Sequence, residues 1–252
     1  MNFFGIIPSR FASTRLPGKP LLIINKKSMI ERVYAQVKKC NLLQEICVAT
    51  DNQEIILEVL KFNGKAILTS ESHTTGTERC LEAAEKLGIS NHDIVLNIQG
   101  DEPFIDPANI EKLISIFKKN PEAKIATLVC KIKKVDELFN PNSPKVVFDN
   151  SGKAVYFSRS TIPYVRDFPE ENWIAKNTFY KHIGIYAYRK DVLNSIVNLP
   201  QSTWEKAESL EQLRWLQNGF EIFVAEVEES GIAVDTEADL IKANDFALKN
   251  KL

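Results

Sequence analysis

Between Pro8 and Pro20 the chain reads PSRFASTRLPGKP, which sets three cations, Arg10, Arg15 and Lys19, on one loop stiffened by Pro8, Pro17, Gly18 and Pro20. Ser9, Ser13 and Thr14 are small hydroxyl residues that let the backbone come close to a ligand. Fixed positive charge and exposed amide donors on a constrained loop are what a triphosphate needs. The stretch follows neither the GxGxxG spacing nor the Walker pattern, so neither a nicotinamide cofactor nor ordinary P-loop hydrolysis is indicated. Charge alone would equally suit a solvated basic turn.

Carboxylates stand at two other places. Asp101 lies in Gln99-Gly100-Asp101-Glu102-Pro103, directly after the apolar run that ends at Ile98. A carboxylate past a buried strand can reach a crevice at the strand ends and ligate Mg²⁺, a hard ion that takes oxygen donors. The same residue type there also forms turns and caps helices. Asp235, in AVDTEAD, has the same two readings, since Asp235 or Thr236 can cap the last helix. Thr75 or Thr77 can cap a helix that opens at TTGTER, where Glu78 suits the positive helix end and Arg79 follows.

A third group has residue types suited to a polyol acid. Strand alternation puts His182, Gly184, Tyr186 and Tyr188 on one face, a set that suits hydrogen bonds to a polyol and equally a satisfied core histidine beside packed tyrosines. Arg159 follows another apolar run and has the planar fork that meets a carboxylate bidentately. Glu211 and Gln212 sit on a helix whose Leu210, Leu213 and Leu216 face the core, so spacing alone makes the pair solvated surface. His73 and His92 belong to no constellation and read as loop or surface residues.

Parallel-sheet units must position these groups. Apolar runs at Phe3–Ile7, Ile46–Ala49, Ala66–Leu68 and Asp93–Ile98 alternate with helical spacing at Met29–Val37, Ile55–Leu60, Glu78–Leu87 and Ile110–Phe117. Four rounds of strand then helix imply crossovers and an α/β class, and strands without polar alternation are those covered on both faces. Beyond Ile125 the pattern becomes strand-rich, with runs at Ile125–Cys130, Lys145–Phe148, Ala154–Phe157 and Ile183–Tyr188 and few helices between them. Helices at Leu210–Gln217 and Ala238–Leu248 bracket a strand at Ile222–Val227. Without a linker, repeat or low-complexity tract, one domain over 1–252 is expected.

Composition narrows the class of function. The 252 residues carry 32 Lys plus Arg against 33 Asp plus Glu, so no general field draws the chain to nucleic acid. No apolar stretch approaches the ~20 residues of a spanning helix, and no signal peptide is evident, which points to a cytoplasmic protein without membrane insertion. Cys40, Cys47, Cys80 and Cys130 show no CxxC spacing and read as reduced thiols.

The loop string, QGDEP and the Asp-Thr pair before the acidic last helix together resemble the cytidylyltransferases that activate 3-deoxy-manno-octulosonate (Kdo). The segments YFSR, HIGIY and LEQLR resemble that family's sugar-recognition segments, and the likeness runs end to end in the same order. It implies a three-layer, Rossmann-like nucleotidyltransferase fold with a mostly parallel, mixed central sheet. It implies that Ser9, Arg10, Ser13, Arg15, Lys19, Thr75 and Arg79 serve CTP, with Arg10, Arg15, Lys19 and Asp101 in catalysis. Asp101 and Asp235 would hold Mg²⁺, and Gln99, Arg159, His182, Tyr186, Glu211 and Gln212 would surround Kdo. A homodimer through the strand-rich region at about 145–190 is implied as well. SGIAVDTEADL lacks the proline that commonly follows the Thr in the family, which bears on the helix start and not on the carboxylate. The rivals are a cytidylyltransferase for 8-amino-Kdo or a sialic acid, and a non-catalytic nucleotide-binding module. The string STRLPGKPL and the Glu of QGDEP favour the Kdo branch.

Overall fold

Phe3–Ser9 (β1) is buried along nearly its whole length, as expected of a strand with helices on both sides. The computed structural model describes residues 1–12, 16–228 and 231–252. After β1 come a hairpin of Ile23–Ile24 (β2) and Lys27–Ser28 (β3), then Met29–Val37 (α1), Glu45–Thr50 (β4), Gln53–Lys61 (α2), Ala66–Leu68 (β5), Gly76–Lys86 (α3), Ile94–Asn97 (β6) and Pro107–Lys119 (α4). The later elements are Ile125–Lys131 (β7), Val135–Leu138 (α5), Lys145–Phe148 (β8), Ala154–Ser158 (β9), Trp173–Lys176 (α6), Tyr180–Arg189 (β10), Lys190–Val197 (α7), Thr203–Glu208 (α8), Gln212–Gln217 (α9), Ile222–Val227 (β11) and Glu237–Lys249 (α10). The chain divides into two compact units, one of Met1–Glu111, Tyr188–Val197 and Gly231–Leu252, the other of Lys112–Ala187 and Asn198–Ser230.

In the first unit the strands lie in the order β6-β1-β4-β5, every pair parallel. Their carboxyl ends therefore share one edge, where ligands of open α/β sheets bind. Each helix begins where a side chain satisfies an otherwise unpaired amide. Ser28 accepts from Glu31 N at the start of α1, and Asn52 accepts from Glu54 N and Ile55 N at the start of α2. The buried stripe of α1, Met29, Ile30, Val33, Tyr34 and Val37, has the spacing expected of its sequence.

The second unit is mixed. Neighbouring strands run β11-β7-β10, with β11 and β7 parallel, while β8 pairs antiparallel with both β10 and β9. Ile132, Leu138, Trp173 and Phe179 form one of its apolar clusters. As expected, few helices lie between its strands: only α5 and α6 fall between β7 and β10. Both have four residues, too brief for a 3.6-residue period to stand out. The hairpin β2–β3 was also absent from the sequence reading. Its turn residues Asn25 and Lys26 both have positive φ, 42° and 73°, the geometry of a two-residue type I′ connection. Lys26 carries no composition signal for that conformation.

Candidate functional site: a cleft at the strand ends

At the carboxyl ends of β1 and β6 the first unit has a cleft of about 300 Å³, walled by residues that were far apart in the sequence. The walls include Ser9, Arg10 and Lys19 from the loop after β1, Thr75 and Arg79 from the start of α3, Gln99 and Asp101 from beyond β6, and Asp235 from before α10. Every expected residue of the CTP and Mg²⁺ groups within the described residues is thus in one place. Ser13 and Arg15, also assigned to this loop, lie outside the described residues.

Lys19 is the centre of the cleft. Gly18 at φ 64° turns the chain into a short 3₁₀ turn, Lys19–Leu21, and Lys19 leaves from its first position. Its Nζ donates to Asp101 Oδ2 at 2.7 Å, to Asp235 Oδ1 at 3.0 Å and to the Val234 carbonyl at 3.0 Å. Val234 N in turn donates to Asp101 O at 2.9 Å, which ties the segment before α10 to the end of β6. The cap of α10 falls to Thr236, whose side chain accepts from Asp239 N while Asp239 reaches back. The Asp235 side chain is thus not the N-cap of α10, and Asp101 lies ahead of a helix that starts only at Pro107.

The carboxylates fit a divalent cation. Two oxygens from separate segments already converge on one cationic atom, and a hard ion such as Mg²⁺ takes one or two carboxylates plus phosphate oxygens and water. Among the described residues no cluster of three or more His, Cys, Asp and Glu forms a metal cage. Beside them, burial and the neighbouring Asp101 charge push Glu102 up to about 7.

At the opposite wall Thr75 opens α3 through a capping box with Glu78. Arg79 lines the cleft, but its guanidinium is committed. Nη2 meets Asp51 Oδ2 at 2.8 Å, and Nη1 meets Thr69 Oγ1 at 2.6 Å. His73, read from the sequence as a loop residue, also lines the cleft and bonds through Nε2 to Glu82. Burial raises the Glu82 pKa, yet Lys86, the Ser70 amide and His73 outweigh it and hold the carboxyl at about 2. His73 and Glu82 are separated by nine positions across a loop-to-helix junction, so spacing gave no cue.

Close approach shapes the cleft floor. A Cβ on Gly100 would stand 2.7 Å from Ser9 Oγ and 3.0 Å from Pro8 O, so only glycine lets the end of β6 meet the end of β1. Ser9 is 3% exposed and its Oγ has no hydrogen-bond partner among the described residues. A buried hydroxyl left unmet is costly, and a ligand group can satisfy it.

Of the residues expected around the sugar, Gln99 lines this cleft and the others belong to the second unit. There His182 Nε2 lies 2.9 Å from Thr127 Oγ1, its ring edge-on to Phe157 and 5.2 Å from Tyr186. Burial pushes His182 down to about 3, so it is neutral at physiological pH. Gln212 is not solvated surface: it is 5% exposed, and its Nε2 donor has no hydrogen-bond partner among the described residues. Glu211 is the residue before α9 and lies 3.7 Å from Arg214. Arg159 spends its donors on backbone, with Nε to Glu208 O at 2.6 Å and Nη1 to Pro141 O at 2.9 Å. The four cysteines are buried, and among the described residues none forms a disulfide.

Fold and cleft together place the chain among the nucleotidyltransferases. The Cytidylyltransferase family profile matches residues 4–226. The 3-deoxy-manno-octulosonate cytidylyltransferase of Parabacteroides distasonis is 51% identical over 98% of each chain, and that of Bacteroides thetaiotaomicron is 49% identical over 100% of each. A solved CMP:2-keto-3-deoxy-manno-octonic acid synthetase complexed with CTP superposes with a TM-score of 0.92 at 41% identity, covering both chains completely. The chain belongs to the 3-deoxy-manno-octulosonate cytidylyltransferase family. A cytidylyltransferase from Leptospira borgpetersenii, 16% identical with a TM-score of 0.61 over 100% of this chain and 95% of that one, shares the fold.

Proposed function

We propose that this enzyme transfers CMP from CTP to the anomeric hydroxyl of Kdo, giving CMP-Kdo and pyrophosphate and activating Kdo for lipopolysaccharide assembly. The observation that carries the reading is the convergence of Lys19, Asp101 and Asp235 in a cleft whose walls are a basic loop and a helix start. The hydroxyl oxygen attacks the α-phosphorus in line. The bond to the bridging oxygen of the β-phosphate breaks, its electron pair leaves with pyrophosphate, and the hydroxyl proton passes to solvent. Negative charge grows on the phosphoryl oxygens and leaving group, so positioned cations supply most of the acceleration.

Arg10, Arg15 and Lys19 hold the β- and γ-phosphates, with Ser9, Ser13 and the Thr75 end of α3 completing the nucleotide site. The positive end of that helix suits an anion. Asp101 and Asp235 would hold Mg²⁺, which would supply Lewis-acid polarisation of the phosphate and activation of the hydroxyl. Gln99, Arg159, His182, Tyr186, Glu211 and Gln212 recognise the sugar acid. The unpartnered Nε2 of Gln212 supports this, as a buried donor waiting for a hydroxyl or carboxylate oxygen.

The protein acts in the cytoplasm. Among the described residues no helix is long and apolar enough to cross a membrane. It works as a homodimer through the region at about 145–190, where Val155, Tyr164 and Phe168 present exposed apolar surface. Light scattering on the purified protein would test the dimer.

The function is tested by pyrophosphate release over a grid of nucleotides and sugar acids. CTP with Kdo should turn over, with UTP, ATP and sialic acids poor. Preference for N-acetylneuraminate or 8-amino-Kdo would move the enzyme to another sugar acid. No turnover with any pair, but nucleotide binding retained, would make it a binding module.

A further inference from the structure

The backbone of the nucleotide loop is tied by a carboxylate that the reaction does not use. Asp51 directly follows β4, the strand beside β1, and is largely buried, with its side chain 13% exposed. Its two oxygens point to different walls of the cleft. Oδ1 accepts from Phe11 N at 3.1 Å, and Oδ2 accepts from Arg79 Nη2 at 2.8 Å.

Phe11 is the fixed point of the loop. Its carbonyl accepts from Gly18 N at 3.3 Å, so the strand leaving β1 and the strand entering Lys19 meet at this residue. Anchoring Phe11 N to Asp51 therefore sets where Arg10 departs and where Lys19 begins. The other oxygen reaches the first turn of α3 through Arg79, which is 3% exposed. Arg79 Nη1 carries the tie onward to Thr69 Oγ1 at 2.6 Å and Ser70 O at 3.4 Å. One carboxylate thus joins the basic loop, the end of β4, the segment after β5 and the helix whose start faces the cleft.

We propose that Asp51 is a positioning residue for the nucleotide site, fixing the separation of the phosphate loop and the α3 N-terminus through Phe11 and Arg79. The inference rests on the nucleotide reading above and adds the residue that makes both walls of the site one rigid piece. Arg79, whose guanidinium is taken up by Asp51 and Thr69, serves the nucleotide site through Asp51. The geometry accounts for why a guanidinium is needed there. The planar fork meets Asp51 and Thr69 from two separate nitrogens in fixed geometry, which the single nitrogen of an ammonium does not reproduce.

The test measures CTP affinity by calorimetry, KM for each substrate, kcat and thermal midpoint for wild type, Asp51→Asn, Arg79→Lys and the double variant. Asp51→Asn keeps an acceptor for Phe11 N but turns an amide donor toward Arg79. A misplaced wall should weaken CTP binding roughly ten- to a hundredfold in either single variant. KM for the sugar acid should stay within about twofold, as only the nucleotide walls move. Because both substitutions cut the same tie, the double variant should be no worse than the weaker-binding single one. A lowered thermal midpoint with unchanged CTP affinity would overturn the proposal and leave a core ion pair. Additive losses, or equal rises in both KM values, would overturn it too. If Asp51→Asn fails to fold, Arg79→Lys decides on the same readouts. Wild type failing to bind CTP would instead refute the nucleotide reading, a result separable from any difference among the variants.

Discussion

Lys19 Nζ and Asp101 Oδ2 stand 2.7 Å apart across 82 positions of sequence, and Asp235 joins the same ammonium at 3.0 Å from 216 positions away. The three residues reach one point because β1 and β6 are parallel neighbours and Val234 N is bonded to Asp101 O. Cation and carboxylates are thereby gathered where, on the proposed function, a triphosphate and its metal would meet a nucleophile.

Removing either carboxylate should nearly abolish turnover. Asp101→Asn and Asp235→Asn each delete a negative oxygen from the pair and keep the side-chain shape. A loss of at least ~10²-fold in kcat is expected with a folded protein by circular dichroism. Near-normal kcat in either variant at limiting Mg²⁺ would remove that residue from the metal site.

Lys19→Ala should weaken use of CTP more than use of the sugar acid, because its charge belongs to the triphosphate side. The ratio of the two KM changes is the readout. Equal changes, or none, would reduce the loop to a solvated turn.

Gly100→Ala should harm the cleft through sterics alone. The new methyl meets Ser9 Oγ at 2.7 Å and the Pro8 carbonyl at 3.0 Å, and backbone cannot swing aside as a side-chain tip can. Overpacking of this kind typically costs about 1–3 kcal/mol. A raised KM for CTP together with a lower unfolding free energy is expected; wild-type values for both would show that the floor yields.

His182 makes stability depend on pH. Its folded pKa is about 3, lowered by burial, while an unfolded histidine titrates near 6.5. Between those values the unfolded chain binds more protons, so this residue's contribution is flat above pH ~6.5 and falls as pH drops toward 3. The slope approaches about 1.4 kcal/mol per pH unit at most. Urea unfolding of wild type and His182→Asn at pH 7, 6 and 5 should show the wild type losing stability faster. Parallel losses in the two proteins would mean that His182 titrates normally.

The nucleotide side was the more legible half of the site. Arg10, Lys19 and Asp101 come after the ends of parallel neighbours β1 and β6, and that topology directs them to one edge, whereas Asp235 comes from an irregular segment tied there by Val234 N to Asp101 O. Thr75 was readable as a cap because Glu78 completes a local box. Asp51 was not readable: its pairing with Arg79 spans 28 positions and depends on the β4 register against β1. Spacing alone does not reveal the burial of Gln212 for a related reason, and only the family resemblance singles it out. Helical spacing assigns it to a surface face, but the burial of α9 comes from packing against β9 and α8 that no local pattern encodes.

The most direct test of the account is the product itself, followed by ³¹P NMR of CTP, Kdo and Mg²⁺ with the purified enzyme. The account predicts loss of all three triphosphate resonances and growth of one phosphodiester signal for CMP-Kdo, matched one for one by pyrophosphate. Appearance of CDP with inorganic phosphate, or of free CMP with the sugar unchanged from the outset, would contradict it.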